Sequence, residues 1–381
     1  MKIGRVYANF QEDFLYTEHY LAKELAKDGH ETVFITSDKY LSSWDKYLKT
    51  KLPAGHYKRD YYSVVRLSAF APLEKVIYRN PFTLWRLLFG SGFDVLHLNA
   101  VGSFSTLMVL WMVRLKGKYA PPVVISDHSD TRTHSREGRF ANLYYAFFKW
   151  HLSYLQKHIK CIVTFGEIGI KVLSTRFDLP VDFFQPIPLG YNQDVYHYQP
   201  DVKNQEEKLV IGYAGKIARN KRVDYLIRLL ETFHLKNNLR LEIVGVKDGD
   251  TYCEELRQQA QDANLEITLK PFATSAELAT FYNYIDLAIY PGGISITTIE
   301  ASGCGTPVII YRSIEGLESR VEKGRGVLFS NDEELKAALQ TYLELYQQQG
   351  FDNARISQVT QATSSWRTIK NEYLTLYHSV L

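Results

Sequence analysis

The sequence predicts an α/β protein built from two Rossmann-like, doubly wound domains that face each other across a cleft. Short apolar stretches alternate with amphipathic helical patterns, which is typical of a mostly parallel sheet with helices on both faces. This alternation is interrupted by the polar segment 191–207 and begins again at Leu209. A chain of 381 residues also exceeds what a single hydrophobic core usually organises, so two domains are expected.

The first domain is predicted over residues 1–195. It opens with a strand over residues 2–8, a helix over 16–28 and a strand over 32–36. Gly29 directly follows this helix, and glycine commonly ends helices because it adopts the left-handed conformation without steric cost. Further strands are predicted over residues 62–67, 95–98, 122–126, 161–164 and 184–186.

The second domain is predicted over residues 205–363. It follows the segment 191–207, which has no apolar period and is interpreted as a linker. Its strands are expected over residues 209–214, 240–244, 266–270, 287–290 and 307–311, and its first helices over 223–234, 251–263 and 276–283. A last helix, over residues 364–381, is expected to pack back elsewhere on the protein.

Composition argues against several classes of protein. The net charge of +3 is too small a basic excess for most nucleic-acid-binding proteins. The three cysteines stand far apart and outside any Cys-x-x-Cys spacing, so neither a disulfide framework nor a zinc site is expected. A reducing, cytoplasmic compartment is the simplest interpretation. The most apolar window, residues 101–113, is shorter than the roughly 20 residues that a membrane-spanning helix needs.

Basic residues are concentrated in the first half of the chain. Residues 1–200 contain 25 Lys and Arg against 18 Asp and Glu, whereas the remainder contains 20 against 24. Within this half, residues 139–160 interleave aromatic side chains with lysine and histidine, a pattern compatible with a helix on an anionic membrane surface. A helix that buries its aromatics and extends its lysines to solvent has the same pattern. Both interpretations stay open.

Two loops of the second domain indicate anion binding. In GYAGKIARNKRV, Gly215 is followed by Lys216 and Lys221; in YPGGISITTIEASGCGTPVIIY, residues 290–311, a glycine-bearing loop leads into a helix with Glu300. Amides beside a helix start bind anions, and two lysines can neutralise a diphosphate. A carboxylate can also accept hydrogen bonds from sugar hydroxyls. Each loop alone is equally consistent with an ordinary strand–helix turn, but together they predict a sugar-nucleotide site.

Other nucleotide-binding patterns are missing from the sequence. Neither loop has the Gly-x-Gly-x-x-Gly fingerprint, and the first loop of the chain, ANFQEDFLY, contains no glycine. Both facts argue against a dinucleotide pocket. No Gly-x-x-x-x-Gly-Lys-Ser/Thr pattern occurs either, so ordinary P-loop nucleotide hydrolysis is not expected.

The chain resembles the retaining glycosyltransferases of family 4, which have the GT-B fold, over nearly its whole length. GKIARNKR is similar to the family's Gly-Arg-x-x-x-x-Lys-Gly diphosphate loop, and EASGCGTPVI matches its Glu-Ala-x-x-x-Gly-x-Pro-Val block. In the first half, DVLHLN, VVISDHSD and IPLGYNQDVY resemble a family strand, the segment with the family's cleft histidine, and the hinge. SSWRTIKNEYLTLY resembles the last helix, which in the family crosses back to the first domain.

The resemblance implies a function and a set of site residues. A nucleotide-sugar donor would give its sugar, with retention and without a metal or other cofactor, to a glycan, lipid-linked or other hydroxyl acceptor. Lys216 and Lys221 would neutralise the leaving diphosphate, Glu300 would bind the donor ribose, and His128 would hydrogen-bond the donor sugar. The remaining donor-binding positions would be Gly215, Gly292, Gly293, Ile294, Ser295, Ile296 and Thr297.

Several positions depart from the family pattern. The family carries two acids eight positions apart; the second is Glu300, but the first position is Gly292. Lys216 replaces an arginine and gives up its bidentate geometry. Diphosphate and ribose recognition are expected to be retained, whereas recognition of the sugar is expected to differ. Leu15 and Tyr16 also replace a glycine pair, and Leu189 replaces the usual hinge asparagine.

Two acids flank His128 and offer alternatives for the missing carboxylate. These are Asp127 and Asp130. Capping of a helix N-terminus is the expected role of Asp130, because aspartate is among the preferred residues at that position.

Three classes of function compete. The leading one is a glycosyltransferase in surface polysaccharide or glycolipid synthesis, located in the cytoplasm, with peripheral attachment to the inner membrane face as a further expectation. A sugar-nucleotide epimerase would need additional acids for proton abstraction. A catalytically silent subunit of the same fold is the third class, and Gly292 is the residue that favours it.

Overall fold

The computed structural model describes residues 1–12, 17–41, 51–72, 75–128, 138–204, 207–263, 265–293, 295–313, 316–348 and 350–381. Leu15, Tyr16, Asp130 and Ile294, which the sequence analysis singles out, lie outside these residues. The chain divides into two compact units, residues 1–189 with 369–381, and residues 190–368. Each unit has its own parallel sheet, and the predicted two-domain α/β fold class is confirmed.

The strands are β1 (Lys2–Val6), β2 (Glu31–Ser37), β3 (Gly55–Lys58), β4 (Ser63–Leu67), β5 (Ala69–Phe70), β6 (Ile77–Tyr78), β7 (Val95–Asn99), β8 (Val123–Asp127), β9 (Ile159–Thr164), β10 (Phe184–Pro186), β11 (Leu209–Ala214), β12 (Leu239–Val246), β13 (Ile267–Pro271), β14 (Leu287–Tyr290), β15 (Val308–Tyr311) and β16 (Gly326–Phe329). The α-helices are α1 (Thr17–Lys27), α2 (Pro81–Gly90), α3 (Phe104–Lys116), α4 (Arg139–Leu155), α5 (Glu167–Phe177), α6 (Val223–Glu231), α7 (Thr251–Asp262), α8 (Ser275–Tyr284), α9 (Thr297–Gly303), α10 (Glu318–Val321), α11 (Asp332–Gln348), α12 (Asn353–Ser364) and α13 (Trp366–Val380).

The first unit is organised around an eight-stranded sheet in the order β10-β9-β8-β7-β1-β2-β4-β3. Neighbouring strands are parallel, except that β3 pairs antiparallel with β4. The central strand β7 is apolar and buried over most of its length, as expected for a strand that is covered on both faces.

The second unit contains a six-stranded, fully parallel sheet in the order β13-β12-β11-β14-β15-β16. Numbered within the unit this is 3-2-1-4-5-6, the Rossmann order, in which ligands bind where the strand order reverses. The reversal lies between β11 and β14. The loops that follow these two strands are the two that the sequence analysis selects.

Local capping sets the starts of the helices in the second unit. Asp250 accepts hydrogen bonds from the backbone N–H groups of Tyr252 and Cys253 at the start of α7. Thr274 and Glu277 form a reciprocal capping box at the start of α8. Both arrangements satisfy N–H groups that a helix N-terminus leaves without an intrahelical acceptor.

All of the strands named in the sequence analysis are present, with ends displaced by at most two residues. The strands β3, β5, β6 and β16 were not predicted. They are short, and exposed or half-exposed side chains interrupt their apolar pattern. Of these four strands, β3 and β16 lie at sheet edges, and β5 and β6 form a separate two-stranded sheet.

The interpretation of residues 191–207 as a linker is wrong at the start of the segment. Tyr191 and Tyr196 are buried in the core of the second unit. The backbone N–H of Tyr191 donates to the Ser364 carbonyl (3.0 Å), and the N–H of Trp366 donates to the Tyr191 carbonyl (3.2 Å). Two isolated tyrosines among polar residues make no apolar period, so their burial is invisible in the sequence.

Residues 369–381 belong to the first unit, where α13 contributes to a buried polar cluster. Nδ1 of His97 lies 2.6 Å from the Tyr377 hydroxyl, and its Nε2 lies 2.6 Å from the Ser126 hydroxyl. Burial, together with the nearby Arg5 cation, lowers the pKa of His97 well below its usual value. The imidazole is therefore neutral in the folded protein.

We expect His97 to make the protein less stable as the pH falls below about 6.5. Below this pH the unfolded chain binds a proton at His97 and the folded protein does not. Each further fall of one pH unit therefore lowers the free energy of unfolding by at most about 1.4 kcal/mol. Urea unfolding at pH 7.5 and pH 5.5 should show a smaller loss of stability in His97→Gln than in the wild type. Equal losses in the two proteins would contradict this account.

Candidate functional site

The two candidate loops of the second unit are in direct backbone contact. A Cβ atom placed on Gly292 would lie 2.5 Å from Cα of Lys221 and 2.7 Å from the carbonyl oxygen of Asn220. Carbon atoms do not approach backbone atoms this closely, so only glycine fits at this position. The structure thus brings Lys221 and Gly292 together at the point where the strand order reverses.

The basic loop presents its lysines differently. Lys216 is exposed, whereas Lys221 is half-buried at the end of a short 3₁₀ turn, Arg219–Lys221. Arg219 is engaged by Glu255, whose two carboxylate oxygens lie 2.7 and 2.8 Å from the guanidinium. Arg219 is therefore not assigned the diphosphate-binding role that is expected for Lys216 and Lys221.

Arg222 is a further cation in this region that the sequence analysis did not select. Its guanidinium lies over the rings of Tyr225 and Tyr311, 4.2 and 4.5 Å from their centroids. Contacts of this kind orient a cation electrostatically. The only feature of the sequence that pointed to Arg222 as a residue of this region was its position directly after Lys221.

Gly215 is held close to the end of β12. Its N–H donates to the carbonyl of Val244 (3.1 Å). A Cβ on Gly245 would lie 2.1 Å from the Gly215 carbonyl oxygen, so glycine is required there as well. This packing fixes the backbone from which Lys216 projects.

The glycine-bearing loop closes onto its own strand and leads into α9. The N–H of Gly293 donates to the Tyr290 carbonyl (3.2 Å), and the Tyr290 hydroxyl donates to the Thr297 carbonyl (2.9 Å). Ser295 is half-buried and Ile296 is exposed. Residues 295–297 lead into α9 and begin its first turn, where helix geometry leaves backbone N–H groups without an intrahelical acceptor.

Glu300 lies in the first turn of α9, in a largely desolvated environment. Desolvation raises the pKa of its carboxyl to about 7, and a hydrogen bond donated by the Tyr196 hydroxyl opposes this rise. Burial raises the pKa of the Tyr282 and Tyr290 hydroxyls and of the Cys304 thiol, and the nearby Glu300 carboxyl adds to each rise. Small changes in its surroundings therefore decide whether Glu300 is ionised near neutral pH.

Tyr196 is the partner of Glu300 that sequence reasoning missed. It belongs to the IPLGYNQDVY segment, which the sequence analysis related to a hinge, and it is buried in the second unit. Its position among polar residues gave no indication of a contact with α9. The resemblance of this segment to a known family was the only available signal.

A cavity of about 350 Å³ lies at the carboxyl ends of β12 and β13. It is lined by Val244, Lys270, Pro271, Phe272, Ala273, Glu277, Thr280, Phe281 and Tyr284. Lys270 pairs with Glu242 (2.5 Å), and Phe272 is 80% exposed. This exposed ring offers a flat apolar face beside the cavity.

His128 belongs to the first unit, directly after β8. Its ring packs against Phe165 with 4.0 Å between centroids, and its Nε2 lies 3.7 Å from a carboxylate oxygen of Glu18. Desolvation lowers the pKa of His128, while the carboxylates of Glu18 and Asp127 oppose the shift. The neutral imidazole can donate or accept a hydrogen bond.

Asp127 has a structural contact that occupies one of its oxygens. Its carboxylate accepts a hydrogen bond from the N–H of Val101 (2.7 Å), and the side chain is 3% exposed. This contact gives Asp127 a structural role at the end of β8, and its substitution for the acid missing at Gly292 stays a prediction.

Comparison with known proteins relates both halves of the chain to glycosyltransferases. Residues 18–194 match the family model Glycosyltransferase Family 4, and residues 197–356 match the model Glycosyl transferases group 1. An uncharacterized glycosyltransferase of Methanocaldococcus jannaschii is 25% identical over 180 residues, which cover 44% of this chain and 46% of that protein. A D-inositol 3-phosphate glycosyltransferase of Thermobifida fusca is 30% identical over 137 residues, 32% of this chain and 31% of that protein. These matches thus span less than half of the curated relatives' length.

Solved structures resemble the whole chain. HepE of Anabaena in complex with UDP superposes with a TM-score of 0.72 at 14% identity, over 100% of both chains. Sucrose-phosphate synthase of Thermosynechococcus elongatus superposes with a TM-score of 0.67 at 17% identity, over 99% of this chain and 98% of that one. At sequence identities this low, the structural similarity establishes the fold alone.

We expect Gly292→Ala to disturb both stability and ligand binding. The added methyl group must displace the backbone at Lys221, and overpacking of this kind costs about 1–3 kcal/mol. Thermal unfolding should show a lower melting temperature, and calorimetry should show weaker UDP binding.

Gly90→Ala is the matched control, because a Cβ at Gly90 meets no atom within 4 Å. If Gly292→Ala retained the melting temperature of this control, the close approach to Lys221 would be refuted.

Proposed function

We propose that this chain, whose two halves match glycosyltransferase family models and whose fold is that of GT-B glycosyltransferases, transfers a sugar from a nucleotide-sugar donor to a hydroxyl acceptor. The observation that carries the proposal is the backbone contact between the Lys221 and Gly292 loops, close in sequence to the half-buried Glu300. It unites cationic, amide and carboxylate groups at the ligand-binding edge of a Rossmann sheet.

We propose that the second unit binds the donor through three kinds of group. The ammonium groups of Lys216 and Lys221 neutralise the diphosphate, and the backbone amides of residues 295–297 donate hydrogen bonds to its oxygens. Glu300 accepts hydrogen bonds from the ribose hydroxyls. The cavity beside Phe272 takes the nucleobase, with its size and apolar wall as support.

The proposed transfer retains the configuration at the anomeric carbon. The bond from this carbon to the phosphate oxygen breaks, and the acceptor oxygen forms the new bond on the same face of the sugar. The acceptor proton passes to the departing phosphate oxygen, and the nucleoside diphosphate leaves. Fixed positive charge where the diphosphate develops negative charge lowers the barrier, and the lysines supply that charge without a metal ion.

His128 is proposed to orient the donor sugar by a hydrogen bond. Glu18 and Phe165 hold the imidazole in place, and its lowered pKa keeps it neutral at physiological pH. A neutral ring can donate to a sugar oxygen or accept from a sugar hydroxyl.

A hexosyl donor and a glycan or lipid-linked acceptor complete the proposal, which assigns the protein to surface polysaccharide or glycolipid synthesis at the inner face of a membrane. Supporting observations are the basic first half of the chain and the interleaved aromatic and basic residues of α4. The attachment that we propose is through this surface of the folded protein. Among the described residues no helix is long and apolar enough to cross a bilayer.

A catalytically silent, sugar-binding subunit is the second candidate. The observation that favours it is Gly292, where the backbone at Lys221 leaves no room for the carboxylate that the family resemblance implies. The two candidates differ in turnover and agree in nucleotide binding.

Thermal-shift measurements with UDP and GDP test donor binding, which both candidates require. We expect one nucleotide to raise the melting temperature, because a ligand that binds only the folded state stabilises it by mass action. Release of that nucleotide from its sugar conjugates in the presence of acceptor glycans then separates the enzyme from the silent subunit. No shift with either nucleotide would refute donor binding altogether.

The pH dependence of nucleotide binding tests the role of Glu300. Ribose hydroxyls donate to the ionised carboxylate, so UDP affinity should rise about tenfold between pH 6 and pH 8 as the carboxyl loses its proton near pH 7. The free protein should lose stability as the pH rises from about 4.5 to about 7 and change little above that, because a raised pKa means that the folded state holds this proton more tightly than the unfolded chain.

Glu300→Gln is the control for ionisation of the nucleotide itself. This variant should bind UDP more weakly at pH 8 and should lose the part of the pH dependence that Glu300 causes. Identical pH profiles for the wild type and Glu300→Gln in calorimetry would remove this residue from the site.

A further inference from the structure

Helix α4 has two apolar faces, and the first unit buries only one of them. Tyr145, Phe148, Leu152 and Leu155 are buried. A second set recurs at alternating spacings of three and four residues and is exposed: Phe140 (90%), Leu143 (68%), Phe147 (41%), Trp150 (58%) and Tyr154 (47%). This exposed set is called the α4 stripe.

The α4 stripe lies away from the core. At 3.6 residues per turn its members share one side of the helix, roughly opposite to the buried face. Single exposed apolar residues are common on protein surfaces, but a continuous row of large ones marks an interaction site. The sequence alone left open whether α4 is a core helix or a surface helix; the structure shows that it is both.

The end of α3 extends this apolar surface. The Arg114 guanidinium donates to the Tyr154 carbonyl (3.0 Å), and the Trp111 ring lies 6.1 Å from the ring of His151. Leu115 (75% exposed) and Tyr119 (74% exposed) follow at the end of α3 and in the turn after it. Together with the α4 stripe these residues form the α3–α4 surface.

The exposed charge on the described residues of α3, α4 and the segments that adjoin them in sequence is positive. The described residues 104–128 and 138–160 contain a single carboxylate, Asp127, which is buried. The same residues carry the cationic side chains of Arg114, Lys116, Lys118, Arg139, Lys149, Lys157 and Lys160. On the helical wheel Arg139 lies directly beside the α4 stripe, and the exposed Lys149 lies farther round on the same side, between the stripe and the buried face.

We propose that the α3–α4 surface docks the protein on an anionic lipid bilayer, with the α4 stripe inserted among the headgroups. Tryptophan and tyrosine combine an apolar ring with a polar group and are favoured at such interfaces. The flanking cations contact anionic lipid. Two copies of so basic a surface repel each other, which disfavours a second copy as the occupant. The inference deepens the proposed membrane-facing role and depends on no step of sugar transfer.

Co-sedimentation of the full chain with vesicles tests the proposal. Vesicles of phosphatidylcholine with phosphatidylglycerol should bind the wild type, whereas phosphatidylcholine alone should bind it weakly. Leu143→Ser/Trp150→Ser should reduce the affinity for the anionic vesicles at least about tenfold, because two apolar side chains that insert into the bilayer are lost. Lys149→Glu/Lys157→Glu should remove the preference for phosphatidylglycerol.

Controls separate docking from misfolding and from donor binding. Val181→Ser removes an exposed apolar side chain (62%) of the first unit outside α3 and α4 and should bind vesicles like the wild type. The stripe variant, Leu143→Ser/Trp150→Ser, should keep the melting temperature of the wild type and the same response to UDP. Vesicle binding and UDP binding are measured separately, so a failure of the donor proposal does not affect the vesicle test.

Two results would overturn membrane docking. One is vesicle binding by the stripe variant equal to that of the wild type, or no binding by either protein. The other is a dimer in light-scattering measurements that the stripe variant abolishes, together with no vesicle binding, which would assign the surface to contact between copies.

Discussion

The backbone contact between Gly292 and Lys221 is the constraint on which the candidate donor site depends. It joins the loop after β14 to the loop after β11, the two strands between which the order of the second sheet reverses. Backbone atoms of Asn220 and Lys221 fill the space that a side chain at position 292 would need. The loop after β11 therefore lies directly against the loop that leads into α9. The same contact excludes an acidic side chain at this position, which is the basis for proposing that recognition of the sugar differs from the family pattern.

Glu300 is the second determinant of this site, and its energetics differ from those of a surface acid. Burial makes ionisation costly, whereas the hydrogen bond from Tyr196 lowers that cost. A ligand that donates hydroxyl groups to the carboxylate favours the ionised form further. Binding and ionisation are therefore linked, and a segment that resembles a hinge takes part in this linkage through its tyrosine.

Much of the fold was predictable because buried central strands, such as β11 and β14, are uninterrupted apolar runs between glycine-rich turns. The positions of Lys216, Lys221 and Glu300 were predicted from the resemblance to family 4 glycosyltransferases and from their location after these strands. Three features were not predictable. The burial of Tyr196 depends on tertiary packing, the exclusion of a side chain at Gly292 depends on a neighbouring loop, and the two faces of α4 share the same residue types. In each case a contact distant in sequence decides what the local pattern leaves open.

A crystal structure of the protein with bound UDP tests the central claim most directly. The account predicts diphosphate oxygens within hydrogen-bond distance of the Lys221 ammonium and of the backbone amides of residues 295–297, with the ribose hydroxyls on the Glu300 carboxylate. The Gly292–Lys221 contact should be unchanged. A nucleotide bound elsewhere, or a ribose that makes no contact with Glu300, would contradict it.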